Sequence, residues 1–191
     1  MLILCICFGI GSQLETYKIV EQGLKYDLVS SLAYRDGLTG IGNRTAYLEK
    51  LESYKNTSHS FKQLGIVYLD VNNLKTVNDN YGHEYGDKLI LTAAQIIEAS
   101  FGAHGKSYRV GGDEFCVLMT GNATKESYES ALTVFQQMIE KENKSKNNVY
   151  TLQIAHGFCI CEDFTDGKLE EAIAQADSEM YRNKIALKAK A

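Results

Sequence analysis

Three acidic residues stand where the chain is expected to leave its core or to turn. Asp70 closes an apolar run over residues 64–71, and Asp113 and Glu114 lie between two strand-like runs. Buried like charges raise each other's pKa and destabilise a fold unless a cation lies between them. Magnesium binds one or two carboxylates and completes its shell with substrate phosphates. If the acids meet, they predict a magnesium site; if they stay apart, they are solvated loop residues, and spacing alone leaves both interpretations open.

Two glycines, Gly111 and Gly112, immediately precede Asp113. Without side chains at this turn, a flat base or a phosphate can approach the main chain closely. A simple Gly-Gly turn of a hairpin is the competing interpretation. The glycines therefore favour a ligand site at the acids but do not establish one.

The elements that must position these residues are indicated by hydrophobic periodicity. The run at 64–71 predicts a central strand that ends in an acid, and residues 106–110 and 114–119 predict a hairpin around the glycines. Apolar residues three or four apart predict helices at 84–100 and 124–142. The further predicted elements are a helix from Asn43 to about Lys55 with Tyr47, Leu48 and Leu51 on its inner face, a helical turn at 73–78, a half-buried strand through Tyr150, Leu152 and Ile154, and one or two closing helices at 169–188. This order predicts an α+β, ferredoxin-like fold with a mostly antiparallel central sheet flanked by helices.

The start of the chain is predicted to be an extension of this domain. The apolar run at 1–10 is shorter than the roughly 20 residues that span a bilayer. It is either the cut end of a transmembrane helix from a longer protein or a hydrophobic cap on the next helix, and its lack of charge favours the former. Residues 12–35 carry one apolar helical stripe, which predicts either a helix lying on its own domain or a dimerising connector. The turn-rich segment 36–42 divides the chain into an extension at 1–35 and a domain at 36–191.

Composition narrows the classes of partner. The formal net charge is −4 and the sequence pI about 5.6, so the chain lacks the positive field that binds a nucleic-acid backbone. A small phosphate ligand remains compatible, because a metal ion and a few lysines can hold it. The five cysteines include two C-x-C pairs, which indicate neither a disulfide framework nor a zinc site. Cys159 and Cys161 are expected to be core thiols in a reducing compartment.

The hairpin from Arg109 to Phe115 contains the run Gly-Gly-Asp-Glu-Phe and resembles the signature of the GGDEF diguanylate cyclase family. Further stretches that agree in order and spacing are 36–44, 70–79, 82–87 and 176–184. The resemblance implies a nucleotidyl-cyclase palm-like domain that condenses two GTP molecules into the second messenger cyclic di-GMP, with Mg²⁺ or Mn²⁺ as cofactor. It also implies a cytoplasmic homodimer with facing active sites, in which the N-terminal helix sets the spacing, and a membrane segment or an upstream sensor in a longer parent protein fits the same scheme.

The resemblance assigns roles to individual residues. It implies metal ligation by Asp70, the Val71 carbonyl, Asp113 and Glu114. The implied catalytic residues are Asp113, Glu114 and Lys75, with Asp113 as candidate base. The implied substrate-binding residues are Asn73, Leu74, Asn78, His83, Asp87, Gly111, Gly112, Lys184 and Lys188. Among these, Asn78 and Asp87 would contact the guanine edge, the amides of Asn73 and Leu74 would hold phosphate at a helix start, and the lysines would face the triphosphate.

Some positions depart from the family's pattern. Lys188 replaces a common arginine, which keeps the charge but loses the bidentate fork. Residues 102–105 lack the Arg-x-x-Asp pair of the product-inhibition site, so feedback through that site is predicted to be absent. The main alternative function is a catalytically weak module that binds GTP or cyclic di-GMP for regulation. The intact acids and Lys75 argue against it, and Asp87 argues against a cyclase that uses ATP.

Overall fold

The computed structural model of the protein describes residues 21, 29, 33–56, 62–120, 123–145, 149–165 and 167–189. The predicted apolar start at 1–10 and nearly all of the predicted helix at 12–35 lie outside the described residues. Within the described part, none of the helices combines the length and the hydropathy needed to cross a membrane. The division of the chain at residue 35 stays a prediction.

Four strands form one sheet, and five helices pack around it in the described part of the chain. The elements are α1 (Arg44–Asn56), β1 (Leu64–Val71), α2 (Leu74–Tyr81), α3 (His83–Phe101), β2 (Gly105–Arg109), β3 (Glu114–Met119), α4 (Lys125–Asn143), β4 (Ile154–Cys161) and α5 (Lys168–Lys188). The sheet order is β2-β3-β1-β4, and each neighbouring pair is antiparallel. Because this is the βαββαβ arrangement, the predicted α+β, ferredoxin-like fold is confirmed.

The sheet separates two hydrophobic cores because its side chains alternate between faces. On one face Leu69 and Phe115 pack with α3 and α4. On the other face Ile66 and Leu118 pack with α1 and α5. Cys159 and Cys161 are buried in the second core, as predicted.

Polar caps set several helix boundaries. The Asn43 side-chain oxygen accepts a hydrogen bond from the Ala46 amide at 3.0 Å, which confirms the predicted start of α1. Thr124 caps α4 by accepting from the Ser127 amide at 3.2 Å. The predicted helical turn at 73–78 is a longer helix, α2, and the closing region is the single helix α5.

Two details of the sequence-based prediction were wrong. Leu48 is 52% exposed, and Tyr54 joins Tyr47 and Leu51 on the inner face of α1, because Leu48 lies about 100° around the helix from Tyr47. The last strand begins only at Ile154.

The segment before this strand is buried but is not part of the sheet. Leu152 is 1% exposed, and its amide and carbonyl both hydrogen-bond the Asn143 side chain at 2.8 Å. The amide group of Asn143 thus takes the place of a neighbouring strand. Alternating hydrophobicity predicts that such a segment is buried, but it does not predict whether its main chain hydrogen-bonds a strand or a side chain.

Helix α5 crosses β4 directly above Gly157. A Cβ atom at this glycine would lie 2.2 Å from both the Ala176 carbonyl oxygen and the Met180 nitrogen, so the helix backbone would have to move. Gly157→Ala is expected to lower the free energy of unfolding by about 1–3 kcal/mol, as overpacking does. Denaturant titration measures this, with Gly37→Ala as control because a Cβ at Gly37 meets nothing within 4 Å. Equal losses in both variants would contradict the close helix packing.

Candidate functional site

The first feature of the site is a pair of carboxylates on neighbouring strands. The register of β1 and β3 places Asp70 directly opposite Glu114. Both side chains lie on the sheet face that α1 and α5 cover, since Asp70 contacts Lys184 of α5 and Glu114 lines a cavity with residues of both helices. Like charges directly opposite each other in a sheet are destabilising. Glu114 is exposed to solvent but Asp70 is buried, so positive charge close to Asp70 would stabilise the arrangement.

Lys184 supplies part of that charge. Its Nζ donates to Asp70 Oδ2 at 2.7 Å, and the Asp70 side chain is only 6% exposed. The other carboxylate oxygen, Asp70 Oδ1, is buried and has no hydrogen-bond partner. A buried carboxylate oxygen without a partner is an unusual feature, and it matches the oxygen ligands that Mg²⁺ and Mn²⁺ prefer. The donor set therefore fits a divalent cation.

The third acid, Asp113, contacts the end of β1 through its main-chain carbonyl. The Asp113 carbonyl accepts a hydrogen bond from the Val71 amide at 2.9 Å, which holds the end of β1 against the hairpin. In the described part of the chain, no three His, Cys, Asp or Glu side chains are grouped closely enough to hold a metal. Three side-chain carboxylates converging on one point, as the sequence suggested, are therefore not found. Metal ligation by Asp70, Val71, Asp113 and Glu114 stays a prediction that needs only one or two carboxylates.

The glycine turn differs at its two positions. A Cβ at Gly111 would lie 2.3 Å from Glu114 Oε2, so the Glu114 carboxylate folds back over this residue. A Cβ at Gly112 would meet nothing within 4 Å. The amides of Val110 and Gly111 both donate to the Glu114 carbonyl, at 2.9 and 3.2 Å, and close the turn. Gly111 thus makes room for Glu114, while the main chain at Gly112 is open to a ligand.

Helix α2 begins at Leu74, three residues after Val71. Asn73 precedes it with φ 64°, a left-handed conformation, and its side chain does not cap the helix. The first amides of α2 lack intrahelical partners by geometry and are suited to an anion. Asn72 is 1% exposed and binds Gln153 through its amide group at 2.9 Å. It anchors the connection from β1 to α2.

The corner between α2 and α3 brings the predicted guanine contacts close to each other. A Cβ at Gly86 would lie 1.9 Å from Asn78 Oδ1, so the Asn78 side chain rests directly on this glycine. Asp87 follows Gly86 and is exposed, as is His83 at the start of α3. Lys75 and Lys188 are exposed as well, and their roles toward a triphosphate stay predictions.

Arg109, which has no assigned role, contacts the glycine turn and also binds Asp36. Arg109 donates to the Gly112 carbonyl from Nε and Nη2, at 3.2 and 2.7 Å, and from Nη1 to Asp36 at 3.1 and 3.3 Å. Burial alone would raise the pKa of Asp36, but hydrogen bonds from Thr39 and Arg109 outweigh it and hold this pKa below its usual value. No local sequence signal could identify this pair, because 73 residues separate its members.

Cavity volume does not single out the site. A cavity of about 1100 Å³ is lined by the 34–42 loop, α1 and β2 and includes none of the predicted site residues. A smaller one of about 450 Å³ lies between α1 and α5 and includes Glu114 and Tyr68. Burial raises the pKa of Tyr68 to about 12, so its hydroxyl stays protonated beside Glu114. The acidic pair Asp70 and Glu114 instead lies where β1 ends and β3 begins, outside the larger cavity.

Comparison with known proteins identifies the family of the chain. Residues 33–190 match the family described as "Diguanylate cyclase, GGDEF domain". The chain is 30% identical over 176 residues to diguanylate cyclase DgcN of Escherichia coli, covering 90% of this chain and 42% of DgcN. It is 27% identical over 164 residues to diguanylate cyclase DgcS of Shewanella oneidensis, covering 85% and 53%. The chain thus spans about half the length of these curated relatives.

Solved structures agree in fold. The coiled coil and GGDEF domain of DgcB from Caulobacter crescentus, in complex with c-di-GMP, superposes with a TM-score of 0.74 at 19% identity, covering 90% of this chain and 91% of that one. SiaD from Pseudomonas aeruginosa, in complex with its activator SiaC, gives 0.71 at 21% identity, covering 96% and 70%. Because the family match extends over most of the chain and the fold agrees with it, the chain belongs to the GGDEF-domain family of diguanylate cyclases.

Proposed function

We propose that the chain binds GTP at the end of β1 and β3 and, as a homodimer, condenses two GTP molecules into cyclic di-GMP and two pyrophosphates. One observation carries this proposal most directly. The buried Asp70 carboxylate keeps an unpartnered oxygen opposite Glu114, beside a glycine turn with an open main chain at Gly112. This combination suits a nucleotide phosphate held through a divalent cation.

The chain's own groups would bind and orient the nucleotide. The first amides of α2 would accept a phosphate, and Lys75, Lys184 and Lys188 would neutralise the triphosphate. Asp70, the Val71 carbonyl, Asp113 and Glu114 would hold Mg²⁺ or Mn²⁺, which when bound would supply positive charge to the phosphates and acidify the attacking hydroxyl.

The proposed reaction needs no reactant besides the two GTP molecules. The 3′-hydroxyl oxygen of one GTP forms a bond to the α-phosphorus of the other, the bond to pyrophosphate breaks, and Asp113 accepts the hydroxyl proton. A second, symmetric attack closes the ring. Each domain is proposed to hold one GTP, so two domains must face each other. Holding both reactants in place lowers the activation barrier by several kcal/mol. The N-terminal helix is the proposed source of this pairing.

Product analysis tests the function. The full chain, incubated with GTP and Mg²⁺, is expected to yield cyclic di-GMP and pyrophosphate, whereas incubation with ATP is expected to yield little product. Chromatography with authentic cyclic di-GMP as standard identifies the product, and gel filtration of the same sample measures the dimer. Binding of GTP without product by a dimeric sample would favour the regulatory module and contradict the cyclase.

Guanine selectivity gives a sharper test. Asp87→Asn is expected to lower kcat/KM for GTP roughly 10- to 100-fold, because one unpaired polar group in a binding site costs about 1–3 kcal/mol. The ratio of GTP to ATP use should fall with it, as measured by competition between the two nucleotides. Glu98→Gln, which removes the same charge near the other end of α3, is the matched control.

Gly86→Ala tests the other half of the guanine contact. A methyl group there would displace the Asn78 side chain, so a similar loss for GTP is expected although Gly86 itself carries no polar atom. Unchanged selectivity in both Asp87→Asn and Gly86→Ala would place the guanine elsewhere.

A further inference from the structure

The position of Asp113 is defined by the two peptide groups on either side of it. On its carboxyl side, the Asp113 carbonyl accepts from the Val71 amide at 2.9 Å. On its amino side, the Gly112 carbonyl accepts two hydrogen bonds from the Arg109 guanidinium, at 3.2 and 2.7 Å. Because the peptide unit is planar, fixing the Gly112 carbonyl also fixes the direction of the Asp113 N–H. Both peptide planes that orient the Asp113 side chain are therefore held.

The turn would otherwise be mobile. Two consecutive glycines have wide conformational freedom, and ordering them costs more backbone entropy than ordering other residues. A guanidinium suits this task because its planar fork donates in fixed directions to two acceptors at once. Arg109 uses one side of the fork for Gly112 and the other for Asp36.

Asp36 in turn belongs to a firmly closed loop at 36–42. Its carboxylate accepts from the Thr39 amide at 2.9 Å and from the Thr39 hydroxyl at 2.6 Å, and its amide donates to the Ile41 carbonyl at 2.8 Å. The loop is fastened to the open edge of β2, because the Arg109 amide donates to the Gly42 carbonyl at 2.8 Å and Gly42 donates to Ser107 at 3.2 Å. Asp36 is therefore a fixed anchor for the guanidinium.

We infer that Arg109 is a positioning residue: it clamps the Gly111-Gly112 turn to the loop at 36–42 and thereby sets the orientation of Asp113. The inference rests on the proposed function for the importance of Asp113, but the clamp itself is a property of the turn. The same loop is joined to residues 33–35, because the Asn43 side chain donates to the Ala33 carbonyl at 2.9 Å and to the Arg35 carbonyl at 3.3 Å. The clamp therefore connects residues 33–35 to the glycine turn through hydrogen bonds.

The kinetic test compares three variants of the full chain. Arg109→Ala is expected to lower kcat for cyclic di-GMP formation about 10- to 100-fold with a smaller change in KM for GTP, because a misplacement of about 1 Å can cost 100-fold. Arg109→Lys keeps the charge but loses the fork and should lie between Arg109→Ala and wild type. Asp36→Asn should give the smallest loss, since the contacts of Arg109 to Gly112 remain.

Lys106→Ala is the control, because it removes a positive charge from the same strand at an exposed position paired with Leu118, away from the turn. It should leave kcat unchanged. A fall in melting temperature of Arg109→Ala without a change in kcat measured below that temperature would assign Arg109 a purely structural role and overturn the inference.

Hydrogen exchange separates this inference from the proposed function. In Arg109→Ala, the peptide containing residues 111–113 is expected to exchange its amide hydrogens faster than in wild type, while peptides of α4 stay unchanged. If wild type forms no cyclic di-GMP, the proposed function fails, and the exchange result alone decides the clamp. Unchanged exchange at the turn would overturn the clamp whether or not the chain is a cyclase.

Discussion

Replacing Asp113 by asparagine is expected to lower kcat for cyclic di-GMP formation by about 100- to 10,000-fold, the range contributed by a positioned general base. Asparagine keeps the size of the side chain but cannot accept the proton of the attacking hydroxyl. Initial rates of cyclic di-GMP formation, at GTP concentrations that span KM, measure the change. The half-exposed Asp113 side chain makes the substitution tolerable for the fold.

The structure supplies a reason why this loss would not reflect unfolding. The contact by which Asp113 joins β1 is made by its main-chain carbonyl to the Val71 amide, and any side chain at residue 113 leaves it in place. Thermal unfolding of Asp113→Asn should therefore match that of wild type within about 0.5 kcal/mol, as for most surface substitutions. Equal rates of cyclic di-GMP formation in both proteins would remove Asp113 as the base.

Glu114→Gln serves as the companion variant. Glu114 lies opposite Asp70 in the sheet and folds over Gly111, so its neutralisation removes the like-charge repulsion between the two strands. We expect a loss of activity together with a gain in the stability of the magnesium-free protein. This opposite pattern of stability would distinguish the two adjacent acids, which the sequence alone assigns to the same site.

Local patterns were sufficient to predict the elements and several of their boundaries. The apolar run of β1 identified a central strand, and the Asn43 cap identified the start of α1. Leu48 was misplaced because neighbouring residues on a helix differ by about 100° and hydrophobicity alone does not choose between them.

The site depends on contacts that no local pattern encodes. Lys184 and Asp70 are 114 residues apart, and their ion pair exists because Gly157 lets α5 lie directly on β4. The opposition of Asp70 and Glu114 likewise follows from the register of β1 and β3. Family resemblance indicated these residues as a group, whereas the unpartnered Asp70 oxygen becomes visible only in the folded chain.

Because Asp70 pairs with Lys184, the melting temperature of a Lys184 variant can report cation binding independently of activity. Lys184→Met leaves the buried Asp70 carboxylate opposite Glu114 without its lysine, and an uncompensated buried charge is strongly destabilising. The melting temperature of this variant is expected to fall in the presence of a chelator and to recover when Mg²⁺ is added, because a bound cation replaces the missing charge. Failure of Mg²⁺ to restore it would argue against a cation at Asp70.

Replacing Asp70 by asparagine is expected to raise the Mg²⁺ concentration for half-maximal activity at least about 100-fold, since loss of even an outer partner of a metal ligand costs about 10- to 100-fold. The amide is a weaker oxygen donor than the carboxylate and leaves Lys184 without its anionic partner. Mg²⁺ should then no longer raise the melting temperature of the protein. Glu140→Gln, which removes the charge of Glu140 on α4 from its exposed pair with Lys144, should respond to Mg²⁺ as wild type does. Because the melting temperature is measured without GTP, this second part of the prediction can be tested independently of turnover. An unchanged Mg²⁺ response in Asp70→Asn would place the cation away from the end of β1. Lys184 alone would then offset the repulsion between Asp70 and Glu114 in the wild-type protein.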